Sequence, residues 1–227
     1  HAINKGFARS TGDIMGWLNS DDVLLPGALH HVAQAFQRNP QVNIVTGMRK
    51  IINPRGKFVA NLFRGIPTND ILRYYCPIMQ ETTFWRRKVW EDVGALNEER
   101  YYIMDYEYWQ RMIQAGYEFT FLPQYLGGFR HQPESKGTKA EAIRQQEIAQ
   151  MMQAYGIAAD EADAQHKLNA QIAGDWQTKI DLLKALGHFP ISENPQVMVA
   201  VYRLLMLPGL GPLLDHLYRF YRSRRES

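Results

Sequence analysis

The chain has 227 residues, 45% of them hydrophobic and 22% charged, with a formal net charge of +3. At roughly 100–200 residues per domain this allows one domain with an appendage or two small ones, and the apolar share excludes an intrinsically disordered chain. A single cysteine, Cys76, excludes an internal disulfide and a cysteine-based metal cluster and fits a reducing compartment. The small charge surplus does not imply nucleic acid, and no run of about 18 uninterrupted apolar residues is present to span a bilayer.

The chain starts at His1 and shows no basic n-region, apolar h-region or cleavage site, so no signal peptide is read there. A piece of a longer protein is the expectation. Residues 1–12 suit a short helix ending at Gly12. The apolar run Ile14-Met15-Gly16-Trp17-Leu18, stopped by Asn19-Ser20-Asp21-Asp22, predicts a buried strand. After Pro26, the pairs Ala28-Leu29, Val32-Ala33 and Ala35-Phe36 recur at helical spacing until Asn39-Pro40. Residues 42–48 predict a second strand, with Gly56 to Val59 beyond a turn at residues 53–56.

Residues 80–85 alternate and are rich in β formers, so a strand is expected, followed by a short helix over 88–93 closed by Gly94. Residues 106–115 form an amphipathic pattern with Tyr108, Trp109, Met112 and Ile113 on its apolar face and Gly116 as its stop. Another strand covers 119–122. This alternation across residues 1–131 indicates an α/β layer with a largely parallel sheet. From about 135 onward Ala, Gln, Glu and Lys dominate and the chain reads as helical. The last segment, 197–221, is apolar but broken by Pro208, Gly209, Gly211 and Pro212, and it ends among Arg219, Arg222, Arg224 and Arg225.

Two acidic positions carry the most chemistry. Asp21 and Asp22 follow a buried strand, where ligands bind in open α/β sheets. Adjacent carboxylates there can hold a hard divalent cation against a diphosphate; the same residues equally suit a turn and a helix cap. Asp105 heads the 106–115 helix as an N-cap, or alternatively serves as a general base taking a proton from an attacking hydroxyl. Arg130-His131 follows a strand by way of Gly127-Gly128, and offers either a phosphate contact and a metal ligand or simply solvated side chains. Gly6-x-Ala8-x-x-x-Gly12 resembles a phosphate loop only weakly, and the remaining histidines have no ligand spacing.

Taken in order, several blocks resemble the centre of the family 2 glycosyltransferases. These are Asn4-Lys5-Gly6, Gly12-Asp13-Ile14, Trp17 to Asp22, Gln80 to Arg87, Val93 to Glu98, Met104 to Arg111 and Phe129-Arg130-His131. The resemblance covers roughly residues 1–135. It implies a partial GT-A fold, Rossmann-like with a mostly parallel sheet, over residues 1–135, and a helical C-terminal extension over 136–227 that associates with a membrane or a partner. The strand–loop–helix half that grips the nucleotide base in the family is not in this chain.

By the same resemblance the protein is an inverting enzyme that moves a sugar from a nucleotide-diphosphate sugar to a hydroxyl of a carbohydrate or lipid-linked glycan. The implied setting is cell-surface polysaccharide synthesis, at the cytoplasmic face of the membrane. Asp105 falls on the catalytic base, although Met104 stands where relatives carry Glu. Asp22, Asp21 and His131 fall on or near the site of Mg²⁺ or Mn²⁺, although Asn19 stands where many relatives carry Asp. Lys5, Arg9, Asp21 and Arg130 fall on the donor side, and Gln80, Glu81 and Trp109 on the acceptor side. No nucleic-acid partner is implied. A metal-dependent nucleotidyltransferase and a non-catalytic interaction module are the rival readings.

Overall fold

The N-terminal helix α1 (Ala2–Arg9) buries Phe7 and is pinned by Asn4. The Asn4 side chain donates to the Leu96 carbonyl and accepts from the Leu96 N–H, each at 2.9 Å. Sequence blocks near residues 4 and 96 are thus two halves of one contact. The computed structural model describes residues 1–132, 141–172 and 175–210 together with Leu213, Leu214, His216, Tyr218 and Arg219. The domain boundary expected at 135 and the arginines at 222, 224 and 225 lie outside the described residues.

Six strands form one sheet: β1 (Ile14–Met15), β2 (Val23–Leu24), β3 (Ile44–Ile52), β4 (Phe58–Leu62), β5 (Phe84–Arg86) and β6 (Phe119–Arg130). Their order is β1-β5-β3-β6-β2, and β4 pairs with β3 outside that path. The α/β layering follows the alternation of the sequence, but the strand directions do not. Among the described residues only β3 and β6 run parallel; the other four pairings are antiparallel. The turn Asn53–Gly56 makes β3 and β4 a hairpin, whose partners must be antiparallel, and only the long helical crossover before β6 permits a parallel neighbour.

β3 and β6 carry the centre of the sheet. Thr46 faces Phe121 while Met48 faces Tyr125, so β6 spends two extra residues opposite Gly47. Pro123, which has no N–H to give a ladder, lies in that bulge. A Cβ on Gly47 would come within 2.8 Å of the Gln124 carbonyl, so the bulge depends on glycine there.

The expected strand over 80–85 is instead a 3₁₀ turn (Gln80–Thr82) leading into β5. Both Thr82 and Thr83 hydroxyls donate to the Met79 carbonyl at 2.9 Å, a local alternative to a strand ladder.

Helix α2 (Ala28–Arg38) lays Ala28, Val32 and Phe36 on Val45 and Leu126 of the sheet. Helix α3 (Asn69–Tyr74) has no counterpart in the sequence reading; Thr68 caps it by accepting from the Ile71 N–H. Helix α4 (Arg87–Val93) and helix α5 (Met104–Gln114) join Phe7, Met15, Trp85 and Phe119 in an aromatic core.

The C-terminal helices are α6 (Glu141–Ala154), α7 (Glu161–Gln171), α8 (Trp176–Leu186) and α9 (Pro195–Leu205). They share cores with the sheet. Trp176, Ile180 and Leu183 pack with Tyr202 and Leu205 against Met48, Phe63 and Ile71. Ile148, Met151 and Met152 pack against Ile103 and Tyr106. Each such buried side chain contributes about 1.5–3 kcal/mol. Buried Lys179 donates to the Leu205 carbonyl at 2.6 Å, satisfying the C-terminal end of α9. No helix among the described residues is long and apolar enough to cross a membrane.

Candidate active site

Beyond the bulge, β6 runs past the 3₁₀ turn so closely that a Cβ on Gly127 would lie 2.6 Å from Cγ of Glu81. That approach, which only glycine allows, sets the Glu81 carboxylate into the sheet at 2% exposure. There Nη1 of Arg49 faces both of its oxygens at 3.4 Å, and the guanidinium stacks 4.4 Å from the Phe129 ring centre.

Asp22 arrives from the loop before β2. Its Oδ1 accepts the Arg130 N–H at 2.9 Å and its Oδ2 accepts from the Asn19 side chain at 3.4 Å. The Arg130 guanidinium is engaged by backbone, donating to the carbonyls of Asp21, Asn53 and Pro54 at 2.8–3.2 Å. It fastens the Asp21–Asp22 loop to the β3–β4 turn. Asp22 is buried, whereas Asp21 beside it is exposed.

Asp105 lies on the second residue of α5 and is half-buried. It was expected to cap that helix. The structure gives Ile103 the capping position, and the Asp105 carboxylate accepts the neighbouring Tyr106 N–H, at 2.8 Å. The cap comes from elsewhere. Glu147 of α6 accepts the N–H groups of Tyr101, Tyr102 and Ile103 at 2.8, 2.9 and 3.2 Å. An acidic side chain suits the positive end of the helix dipole, and here it comes from a helix more than forty residues away. Tyr155 of the same helical region donates to Glu107 at 2.7 Å, and Arg100 to Gln150 at 2.8 Å.

Arg49 pairs with Glu81, and its charge reaches two further carboxylates. Its charge acts on Asp22, on Glu81 and on Asp105, lowering the proton affinity of each. Burial opposes it and wins at all three: each carboxylate titrates above its ordinary range, chiefly by desolvation. Asp22 is pushed further up by the charge of Asp21 and drawn back by the Arg130 N–H. Acidic groups held at such a cost suit a site where a cation or a proton arrives.

Among the described residues no three His, Cys, Asp or Glu side chains converge on a metal position. His131, expected as a ligand, is exposed, and its N–H donates to the Ile52 carbonyl. What remains is Asp22, whose oxygens keep lone pairs free beside their single hydrogen bonds. A hard cation of the Mg²⁺ type is commonly held by one or two carboxylates with substrate phosphates and water completing the shell. Asp22 fits that role, and its desolvated charge is what such an ion would relieve.

The acceptor-side expectations divide. Glu81 belongs to the carboxylate group, facing Arg49. Gln80 is half-buried, donating to the Trp17 carbonyl at 2.7 Å and accepting from Asn19 at 3.1 Å, so it braces the loop carrying Asp22. Trp109 is a correction: it is wholly buried and stacked on Trp17 with ring centres 5.6 Å apart, and it has no surface for a ligand. Its apolar face in the sequence marks the core rather than a sugar platform. Lys5 and Arg9 are exposed on α1, outside the lining of the groove that α1 forms with residues 14–20. Arg49 and Glu147 were not anticipated. A charge ending the apolar run of β3 was a signal for the first; nothing local marks the second.

Residues 1–94 match the family model described as Glycosyl transferase family 2. The matched segment holds Asp22, Arg49 and Glu81, while Asp105, Arg130 and His131 lie beyond it. The O-antigen biosynthesis protein RfbC of Myxococcus xanthus is 32% identical over 97 residues, 43% of this chain. The chain spans only 8% of the length of RfbC. The crystal structure of S. aureus TarS residues 1–349 in complex with UDP-GlcNAc overlaps 97% of this chain and 70% of its own, with a TM-score of 0.50 at 14% identity. That likeness is one of fold, and it identifies the α/β part as GT-A in type.

Proposed function

We propose that the protein carrying this chain transfers a sugar from a nucleotide-diphosphate sugar to a hydroxyl of a carbohydrate or lipid-linked glycan, in cell-surface glycan synthesis, with inversion at the anomeric carbon. The observation that carries the reading is the match of residues 1–94 to the Glycosyl transferase family 2 model, with the buried carboxylates Asp22 and Glu81 inside the matched segment. The RfbC name and the UDP-GlcNAc bound to TarS support the setting and the donor class.

In this reading Asp105 accepts the proton of the acceptor hydroxyl, whose oxygen attacks the anomeric carbon as the bond to the diphosphate breaks. The base works in its ionised form, so its upward shift moves the acidic limb of activity above the ordinary aspartate range. Asp22 would hold Mg²⁺ or Mn²⁺, and the ion would supply positive charge against a diphosphate. Glu81 holds Arg49, whose charge acts on both Asp22 and Asp105. Lys5, Arg9, Asp21 and Arg130 remain proposed donor-side residues, Arg130 by fixing the Asp21–Asp22 loop.

The test supplies UDP-GlcNAc and other nucleotide sugars with Mn²⁺ and glycan acceptors. Acceptor-dependent release of nucleoside diphosphate, with inverted configuration in the product, is expected. Release of pyrophosphate would assign a nucleotidyltransferase instead, and no metal-dependent donor binding would assign an interaction module.

A peripheral position at the cytoplasmic membrane is proposed as well. Leu204, Leu207, Leu210 and Leu213 are each 42–53% exposed around the end of α9. The inner side of α9 is core, so the measurement is vesicle flotation of Leu207→Glu and Leu210→Glu variants rather than of a truncated chain. Unchanged flotation on anionic vesicles would remove the membrane from this account.

A further inference from the structure

A cavity of about 200 Å³ opens between the α/β part and the helical extension, with Asp105 in its wall. Arg64 and Tyr75 line it from the sheet side, and Arg144, Ile148 and Glu161 from α6 and α7. Its volume is below the ~300–1,000 Å³ of a site that encloses a drug-sized ligand, so it takes one substituent or one unit of a larger molecule.

The two arginines differ in what they face. Arg144 is neutralised by Glu141 at 2.5 Å and Glu161 at 3.2 Å. Arg64 lies 4.9 Å over the Tyr75 ring, and its Nε donates to the Tyr75 hydroxyl at 2.8 Å. Among the described residues no carboxylate pairs with Arg64, and its two terminal nitrogens have no hydrogen-bond partner. Burial, and more weakly the charge of Arg144, act against its charge, the Tyr75 contact favours it enough to keep it protonated, and its charge reaches Asp105 in the same wall. The neighbouring Cys76 thiol is no counter-ion, since burial pushes it up to about 12, and burial keeps the Tyr75 hydroxyl protonated too.

A half-buried guanidinium without a partner is costly unless something supplies the negative charge. Tyr75 fixes the plane of this one and leaves the outer edge of its fork free, the edge that pairs with two oxygens of one anion.

We propose that this cavity is an acceptor subsite in which Arg64 binds a phosphate or carboxylate carried by the sugar-accepting molecule. It rests on the transferase reading for the identity of the ligand. With the anion on Arg64, a hydroxyl of the same molecule is presented to Asp105 across the cavity. The helical extension thereby forms part of the substrate site, through α6 and α7. The acceptor class follows: anionic glycans or glycan phosphates rather than neutral sugars.

Two measurements test this. The first is calorimetric binding of a methyl hexoside 6-phosphate, a methyl hexuronoside and the uncharged methyl hexoside to wild type and Arg64→Gln. At least tenfold tighter binding of one or both charged compounds by wild type, lost in Arg64→Gln, is expected; which of them binds separates phosphate from carboxylate. The second is transfer to the same three compounds, where the charged-to-uncharged ratio of kcat/KM falls toward one in Arg64→Gln, mostly through KM. Should Arg64→Gln fail to fold, Arg64→Met keeps the stem stacked on Tyr75 without the charge and takes its place. Equal binding of charged and uncharged compounds by wild type, or charge selectivity that survives the loss of Arg64, overturns the subsite. Charge-selective binding through Arg64 without any transfer would leave the anion site standing and overturn the transferase reading instead.

Discussion

Asp22, which is buried, and Asp105, which is half-buried, both titrate above their ordinary range, yet two different regions of the molecule hold them. Asp22 is placed by the sheet: the bulge at Gly47 aims β6, whose Arg130 supplies an N–H to the carboxylate and a guanidinium to the loop. Asp105 is placed by the helical extension, because Glu147 holds the three N–H groups that lead into α5 and Tyr155 holds Glu107. The lesson is that the extension belongs to the site. Its helices pack into the same cores as the sheet, and a change in them reaches the candidate base through hydrogen bonds.

The comparison breaks most sharply at the carboxylates themselves. Asp105→Asn lowers turnover by at least the lower end of the ~10²–10⁴-fold contributed by a general base, with the fold retained by circular dichroism. Asp22→Asn gives a loss of the same order and raises the Mn²⁺ concentration needed for half-maximal rate, whereas exposed Asp21→Asn has the smaller effect on both. Initial rates against metal concentration separate the three, and near-normal turnover in Asp105→Asn removes that residue from the role of base.

Next in size is the remote support. Glu147→Ala leaves three N–H groups without their acceptor and costs about 1–3 kcal/mol. It lowers the melting temperature and turnover together, while Arg130→Ala does so by loosening the other carboxylate. If Glu147→Ala melts lower with an unchanged kcat, the extension stabilises the fold without placing Asp105. On the sheet side, Gly127→Ala drives a Cβ into Glu81 and costs about 1–3 kcal/mol as overpacking. The corresponding measurement is its denaturant midpoint.

The smallest effect is the pH dependence of stability. Burial raises the folded-state value of Asp105 above its ordinary 3.8. As pH climbs past that ordinary value the unfolded chain loses the proton first, so wild type loses stability until the folded group has ionised as well. Asparagine has no such loss. Asp105→Asn therefore melts higher than wild type at neutral pH, and its advantage shrinks as pH falls to 3.8 and below. A melting difference constant across that range would mean that the charge of Asp105 is not penalised in the fold.

Local pattern determined much of this molecule. The helical spacing of Ala28, Val32 and Phe36, the turn at Asn53–Gly56 and the amphipathic run after Asp105 each report interactions within a few residues. Their elements appear where the spacing indicates. The pair Asp21-Asp22 and the isolated Asp105 were visible as chemistry for the same reason, since a carboxylate beside an element boundary is a local feature. The tertiary structure alone decided the rest. Strand direction depends on which segments meet in the sheet, and that made a mixed sheet of one expected to run parallel. Trp109 carries the same apolar signal whether it faces a sugar or a core, and packing on Trp17 settled which. Arg49, Glu147 and Arg64 act on groups far away in sequence. A charge interaction or a cap between distant segments leaves no periodicity for the sequence to display, because its partner is chosen by the fold.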